Sequence, residues 1–291
     1  MRVSGADAVS FLHALLTNDV AALAPGAACY AALLTPQGRM ITDMEVVRIA
    51  DAAPPALLLS VPAGLAARLT SRLDASLFSE DVTLEDVSTS TVQFGIVGPG
   101  ARAAIDAALN AMPESDIVVW KNDALGAIES FELAAPVEEA DGLAARLALH
   151  AAPLTAGARK ILRVEEARPE FHVDMTEETI PLEANLLERA ISTTKGCYVG
   201  QEVIIRVLHR GGGRVAKRLV SLRFDGSGGR DVPEGGATLS EGEREIGRVT
   251  SAVWSPRDGA AIGLGYVHRD FAREGAALTL PGGRAAIVTA A

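Results

Sequence analysis

The chain has 291 residues, of which 48% are hydrophobic, and it carries a formal net charge of −10. Its length predicts more than one domain, each large enough to bury a hydrophobic core. The acidic balance disfavours a general nucleic-acid-binding protein, because neutralising phosphates requires a basic surface. Only two cysteines are present, Cys29 and Cys197. They cannot form a disulfide framework, which favours a reducing compartment.

No stretch of the sequence has the features of a membrane span or a targeting signal. The most apolar candidate, residues 54–67, is interrupted by three prolines and a glycine. The first residues, MRVSGADAV, lack the charged and apolar regions of a secretory signal peptide. We therefore expect a cytoplasmic protein that neither enters a membrane nor binds nucleic acid directly.

The first 90 residues alternate between helical and strand-like patterns. Helical spacing of apolar residues covers 5–19 and 63–78, and strand patterns cover 28–35, 44–50 and 57–61. The first two strands follow each other directly, joined by a turn-forming PQGR sequence. This arrangement favours an antiparallel pair.

Residues 91–149 repeat this pattern. Strands are predicted at 91–98, 116–120 and 125–133, and helices at 101–112 and 136–149. Because strands again follow one another directly, the pattern favours antiparallel α+β layers over a doubly wound parallel sheet.

From residue 211 onward the helical period disappears. Short strand patterns alternate with turns rich in glycine and proline, at 215–224, 246–253, 260–267, 276–280 and 284–289. This pattern predicts a small β-barrel or sandwich. We expect residues 1–210 to form one region of two intertwined subdomains, divided near residue 90, and residues 211–291 to form the C-terminal domain.

Two glycine-rich stretches have the form of anion-binding sites. The sequence 98-GPGARA-103 has the spacing of a dinucleotide-binding turn, but the strands after it indicate a hairpin. A tight strand-to-helix turn is therefore the preferred interpretation. The sequence 208-LHRGGGR-214, close to Arg206, is compatible with a backbone nest for an anion and also with a flexible linker carrying solvated charges.

Cys197 is the candidate reactive thiol of the chain. Lys195 stands two residues away and can lower the pKa of the thiol, while Gly196 leaves the backbone uncrowded. A lone cysteine is more often a small buried hydrophobic residue, so both interpretations remain open on chemistry alone. Asp43 and Glu165 are candidate acceptors for the amino-pyrimidine edge of a heterocycle, and ordinary surface acids are the alternative.

Taken together, these segments resemble the YgfZ/IBA57 branch of the folate-binding, glycine-cleavage T-protein-like superfamily. The resemblance rests on VSGADAVSFLHALLTNDVAAL and YAALLTPQGRMITDMEV near the start, and on LRVEEARPEF in the middle. The branch signature K-G-C-[FY]-x-G-Q-E is complete as 195-KGCYVGQE-202, and IGRVTSAVWSP and AIGLGYVHRD match the C-terminal pattern.

The resemblance implies an α+β fold of two ferredoxin-like α/β domains and a small C-terminal β-barrel around a central cavity. That cavity would bind tetrahydrofolate or a one-carbon derivative of it. The implied function is an accessory role in iron–sulfur cluster assembly or repair, in the maturation of [4Fe–4S] enzymes including tRNA-modifying enzymes. Assembly proteins or client enzymes would be the partners, and no independent turnover is expected.

The resemblance also implies which residues form the site. Cys197, with Lys195, would be the functional thiol, and no metal ligand is expected. The folate-contacting set is Glu165, Asp43, Arg206, Tyr198, Gln201 and Glu202. Glu165 occupies the glutamate of the LR-x-E motif, which lies against the pterin in T-proteins.

Two other functions remain as alternatives. The first is a tetrahydrofolate-dependent aminomethyltransferase, for which the Asp pair used in folate chemistry is half present, since Thr42 precedes Asp43. If the chain turns over a substrate, we expect a folate-dependent one-carbon transferase. The second is a protein–protein adaptor whose cavity is vestigial.

Overall fold

The computed structural model describes residues 1–110, 112, 116–209, 212–226 and 231–290. The chain forms two compact units, and neither is a continuous segment. Unit 1 comprises Met1–Pro36, Ile41–Pro153 and Glu188–Val199. Unit 2 comprises Gln37–Met40, Leu154–Leu187 and Gly200–Ala291.

The first layer of unit 1 is a five-stranded sheet. Its strands are β1 (Arg2–Ser4), β2 (Ala28–Leu34), β3 (Met40–Arg48), β4 (Ala56–Ser60) and β5 (Thr83–Glu85), in the order β2-β3-β4-β1-β5. β4 pairs antiparallel with β3 and β1, and β1 with β5. Helices α1 (Ala8–Leu15) and α2 (Ala66–Asp74) contribute Leu12, Leu69 and Leu73 to its core.

The second layer of unit 1 is a three-stranded antiparallel sheet. Strands β6 (Thr91–Val97), β7 (Val118–Asn122) and β8 (Ser130–Pro136) lie in the order β6-β8-β7. Helices α3 (Ala101–Leu109) and α4 (Ala140–Leu147) cover it with Ile105 and Leu143. Because β6 pairs antiparallel with β8, the glycine turn between β6 and α3 is not part of a parallel βαβ unit.

Unit 2 combines helices with a closed barrel. The helices are α5 (Ala156–Glu165), the first residue of α6 (Leu187–Ala190), and α7 (Gln201–His209). The barrel strands are β9 (Lys217–Phe224), β10 (Thr238–Glu241), β11 (Arg244–Ser255), β12 (Ala260–His268), β13 (Ala277–Thr279) and β14 (Ala285–Ala290). They close in the order β10-β11-β12-β9-β14-β13, which leaves no open sheet edge.

The barrel core follows from alternation along its strands. On β9, Val220, Leu222 and Phe224 are buried, because side chains two apart share a face. Gly247 on β11 is required by a close backbone approach, since a Cβ there would lie 2.2 Å from the carbonyl oxygen of Tyr266.

These elements confirm the α+β class and the C-terminal barrel predicted from the sequence. One predicted strand begins later than expected: residues 123–128 form turns, with Gly126 at φ +65°, and β8 starts at Ser130. The division at residues 210 and 211 stays a prediction, and those two residues lie outside the described ones. The glycine-rich stretch 208–214 includes them, so its role as an anion nest also stays a prediction. Among the described residues, every helix is too short or too polar to cross a membrane.

Candidate functional site

Tyr30 and Asp43 form a hydrogen-bonded pair on the neighbouring strands β2 and β3 of unit 1. The phenol of Tyr30 donates to Oδ2 of Asp43 at 2.5 Å, and Asp43 is buried. Burial, followed by the charge of Asp43, raises the pKa of Tyr30 well above its usual range. Tyr30 therefore stays protonated and donates to the carboxylate. Thr42 is buried beside this pair, and its hydroxyl donates to the backbone carbonyl of Asp43 at 3.0 Å.

Arg189 on α6 covers the aromatic face of Tyr30. Its guanidinium carbon lies 4.5 Å from the ring centroid. Nε and Nη2 of the same side chain donate to the two carboxylate oxygens of Asp123, at 2.7 and 2.8 Å. A bidentate ion pair of this kind fixes the plane of the guanidinium, so Arg189 is held in one orientation over the phenol ring.

A cavity of about 500 Å³ lies beside this group in unit 1. Its lining comes from the start of β2, from β3, from the end of β7 and from α6: Asn18, Gly26, Ala27, Ala28, Cys29, Tyr30, Glu45, Lys121, Asn122, Asp123, Glu188 and Arg189. This volume falls in the range of small-molecule sites. The cavity is therefore a candidate binding site.

Glu45 is a partly buried acid of this lining. The indole N–H of Trp120 donates to Oε2 of Glu45 at 2.9 Å. Burial, followed by the nearby charge of Glu132, raises the pKa of Glu45 to about 8. Burial and Glu45 also raise the pKa of the Cys29 thiol to about 12, so Cys29 remains a thiol at neutral pH.

Lys195 is held by backbone carbonyls at the end of α1. Its Nζ donates to the carbonyl oxygens of His13, of Leu16 at 2.6 Å and of Asn18 at 3.2 Å. Burial lowers the pKa of Lys195 to about 8, so the ammonium form still predominates at neutral pH. All three acceptors lie near the C-terminal end of α1, where a cation is favourable.

Cys197 is exposed, as an accessible nucleophile requires. The Nζ of Lys195 lies 5.2 Å from the ring centroid of Tyr198, which is buried. Burial also raises the pKa of Tyr198 to about 12. The roles of these three residues as a thiol, its activator and a folate contact stay predictions.

Glu165 closes α5 in unit 2 and is held by the barrel. The hydroxyl of Ser255 donates to Oε1 of Glu165 at 2.5 Å and accepts the backbone N–H of Asp258 at 2.9 Å. Arg257 donates to the backbone carbonyl of Glu165 at 2.7 Å, and its Nε lies 3.9 Å from Oε2. The carboxylate is thus fixed in one orientation next to the guanidinium of Arg257.

The neighbouring Arg163 fixes α5 itself on the barrel. Its Nη1 donates to Oδ2 of the fully buried Asp174 at 2.5 Å, and its Nη2 donates to the hydroxyl of Ser251 at 2.8 Å. Ser251 in turn donates to Oδ1 of Asp174 at 2.7 Å. The arginine of the LR-x-E motif therefore has a structural contact that positions the glutamate two residues later.

The remaining predicted residues lie on α7 in unit 2. Arg206 and Glu202 form an exposed ion pair with a 2.5 Å N–O distance, one helical turn apart. Gln201 is the first residue of this helix. Exposed pairs of this kind contribute little to stability, and a folate contact for the three residues stays a prediction.

The structure thus places Asp43, Lys195, Cys197 and Tyr198 in unit 1, and the others of the predicted set in unit 2. Sequence reasoning missed several residues that complete these groups: Tyr30, Glu45, Trp120, Asp123, Arg189 and Ser255. Tyr30 and Glu45 stand at ordinary positions of predicted strands. Their partners are up to 159 residues away along the chain, so no local spacing signals the contacts.

Two family models match the chain. Residues 1–120 match the GCVT N-terminal domain, and residues 217–289 match the glycine cleavage T-protein C-terminal barrel domain. The second match covers the strands of the closed barrel apart from the last residue of β14.

Several known proteins of similar sequence are named aminomethyltransferase. One from Rippkaea orientalis is 27% identical over 296 residues, covering 95% of this chain and 78% of the relative. Another, from Desulforamulus reducens, is 28% identical over 303 residues and covers 96% and 79%. A crystal structure of the glycine cleavage system aminomethyltransferase T from Bartonella henselae has a TM-score of 0.87 at 25% identity. It covers 99% of this chain and 82% of that one.

These similarities correct the functional prediction made from the sequence. The prediction of an iron–sulfur accessory protein is wrong, because the relatives and the solved structure favour the aminomethyltransferase alternative. The T-protein-like superfamily is supported, whereas the narrower YgfZ/IBA57 assignment is not. A folate cofactor is consistent with the same findings.

Proposed function

Since the chain belongs to the glycine cleavage T-protein-like superfamily, we propose that it is a tetrahydrofolate-dependent aminomethyltransferase. The observation that carries this proposal is the structural similarity to a solved aminomethyltransferase. That similarity extends over 99% of this chain. A cytoplasmic location remains part of the proposal.

The carboxylate of Glu165 fits a reduced folate. The pterin ring presents N–H donors on its amino-pyrimidine edge, and an ionised carboxylate is an acceptor-only partner for them. Ser255 and Arg257 hold this carboxylate in place. When bound, tetrahydrofolate supplies the nitrogen atoms that accept the one-carbon unit. Glu165 orients the ring that carries them.

The Tyr30–Asp43 pair supplies the general acid–base group of unit 1. Asp43 is the carboxylate, and the phenol of Tyr30 fixes one of its oxygens by a 2.5 Å hydrogen bond. A fixed carboxylate can take up a proton at one oxygen and release it from the same position. Thr42 has no carboxyl group, so one acid performs this work. Arg189 keeps the phenol ring in place.

The transfer itself is tested with purified full-length protein, tetrahydrofolate and a lipoyl protein that carries the aminomethyl group. We expect methylene-tetrahydrofolate to form with the wild type, and Asp43→Asn to slow its formation at least about 100-fold, as for loss of a general base. Asp74→Asn, at the end of α2, is the matched control and should keep the wild-type rate. No product from the wild-type protein would refute the proposed activity.

The folate contact is tested separately by calorimetric titration of tetrahydrofolate. Glu165→Gln should weaken binding about 10- to 100-fold, because a hydrogen bond to a charged group contributes about 1.5–3 kcal/mol. The matched control is Glu241→Gln on β10, where the side chain is exposed. Equal affinity of Glu165→Gln and the wild type would show that Glu165 does not contact the folate.

A further inference from the structure

Carboxyl groups outnumber arginine and lysine side chains in the lining of the cavity beside Glu45. Its lining includes two arginine or lysine side chains, Arg189 and Lys121. Arg189 is already engaged with both carboxylate oxygens of Asp123, and Lys121 is exposed. Glu45 and Glu188 supply further carboxyl groups.

The groups that face Glu45 come from four elements, and most are not cations. Glu132 on β8 and Asp123 after β7 oppose its ionisation, and Cys29 on β2 is a neutral thiol. Arg189 on α6 lowers the pKa of Glu45, but its effect is smaller than those of the two acids. Trp120 on β7 donates to Oε2. Oε1 of Glu45 has no hydrogen-bond partner among the described residues, so it can accept from a ligand.

We propose that this cavity binds a primary ammonium group on a short chain, with the carboxylate of Glu45 as its counter-ion. A volume of about 500 Å³ accepts a small organic molecule. An ammonium ion is a hydrogen-bond donor, and the cavity offers Oε1 of Glu45 as its acceptor, with the carboxylate of Glu188 also in the lining. This assignment rests on the proposed function in one respect: the amine of the group to be transferred is the ligand it would take.

The probe is 2-(methylthio)ethylamine, and 2-(methylthio)ethanol serves as its uncharged counterpart. Full-length wild type should bind the amine at least about tenfold more tightly than the alcohol. Glu45→Gln should remove that preference, while Glu85→Gln on β5 should keep it, because the Glu85 side chain is exposed and far along the sheet.

Proton release from the wild-type protein provides a second measurement that needs no variant. The Glu45 carboxyl, with a pKa near 8, must lose its proton when it pairs with an ammonium ion. Calorimetry in buffers of different ionisation enthalpy should therefore detect release of about one proton at pH 6.5 and about a quarter of a proton at pH 8.5.

The outcomes separate this inference from the proposed function. Equal binding of amine and alcohol, or amine binding without proton release, overturns the ammonium site. If amine binding depends on Glu45 but the protein forms no methylene-tetrahydrofolate, the ammonium site is supported and the proposed transferase activity is refuted. If Glu45→Gln does not fold, proton release alone decides the question.

Discussion

Replacing Glu45 by glutamine should stabilise the protein, and the gain should grow with pH. Glutamine has nearly the same shape and keeps an oxygen that can accept the hydrogen bond from Trp120. It removes the group whose ionisation the folded protein opposes. An acid whose ionisation lowers the stability of the folded protein is characteristic of a functional site.

The size of the effect follows from linkage between protonation and folding. Glu45 has a pKa of about 8 in the folded protein and 4.5 as its ordinary value. Stability from this residue is fully present below pH 4.5 and is lost as pH rises through 8, because the unfolded chain ionises first. The full loss has an upper limit of about 5 kcal/mol. Between pH 5.5 and 8.5 the advantage of Glu45→Gln should grow by up to about 3 kcal/mol.

The assay is urea unfolding at these two pH values, followed by tryptophan fluorescence. Trp120 lies in unit 1 and Trp254 in unit 2, so a Trp254→Phe background reports on unit 1 alone. Glu85→Gln is the control, and its effect should not change with pH. An advantage of Glu45→Gln that is equal at both pH values would refute the reasoning, since Glu45 would then ionise alike in both states.

Three further substitutions test contacts within a single unit: one in unit 1 and two in unit 2. Lys195→Met should lower the free energy of unfolding by about 1–3 kcal/mol, because it leaves carbonyls at the end of α1 without their donor; urea unfolding that matches the wild type would contradict this. Arg163→Met should cost about 3–5 kcal/mol by leaving the charge of Asp174 buried and unpaired, measured by the thermal stability of unit 2. Ser255→Ala should weaken tetrahydrofolate binding less than Glu165→Gln does, and Ser255→Thr should restore it; a loss that threonine does not restore would indicate a packing role instead.

The fold could be predicted from the sequence because its signals are local. Alternating apolar residues in 217–224 and helical spacing in 66–74 each describe a buried face that the structure contains. Strands β1 and β5 have three residues each, which is too short for a periodic pattern to register. They exist because each pairs with a neighbour in the sheet.

The candidate site was only partly predictable, because several of its contacts join residues that are far apart in the sequence. Asp43 and Glu165 were found because they belong to recognisable motifs, but their partners Tyr30 and Ser255 do not. Ser255 is 90 residues from Glu165, and the packing of α5 against β11 brings the two together. The functional prediction was wrong because, within a resemblance that covers most of the chain, the eight-residue signature 195–202 decided the choice of branch.

The repeated crossing of the chain between units has a consequence for synthesis on the ribosome. Lys195 donates hydrogen bonds to backbone carbonyls that lie 177 to 182 positions earlier in the sequence. Unit 1 therefore lacks its last segment until about two thirds of the polypeptide has been made. In a nascent chain, the carbonyls at the end of α1 therefore lack this donor until residue 195 has been translated. Truncated proteins that end before Lys195 should therefore aggregate, even when the truncation follows a predicted domain boundary.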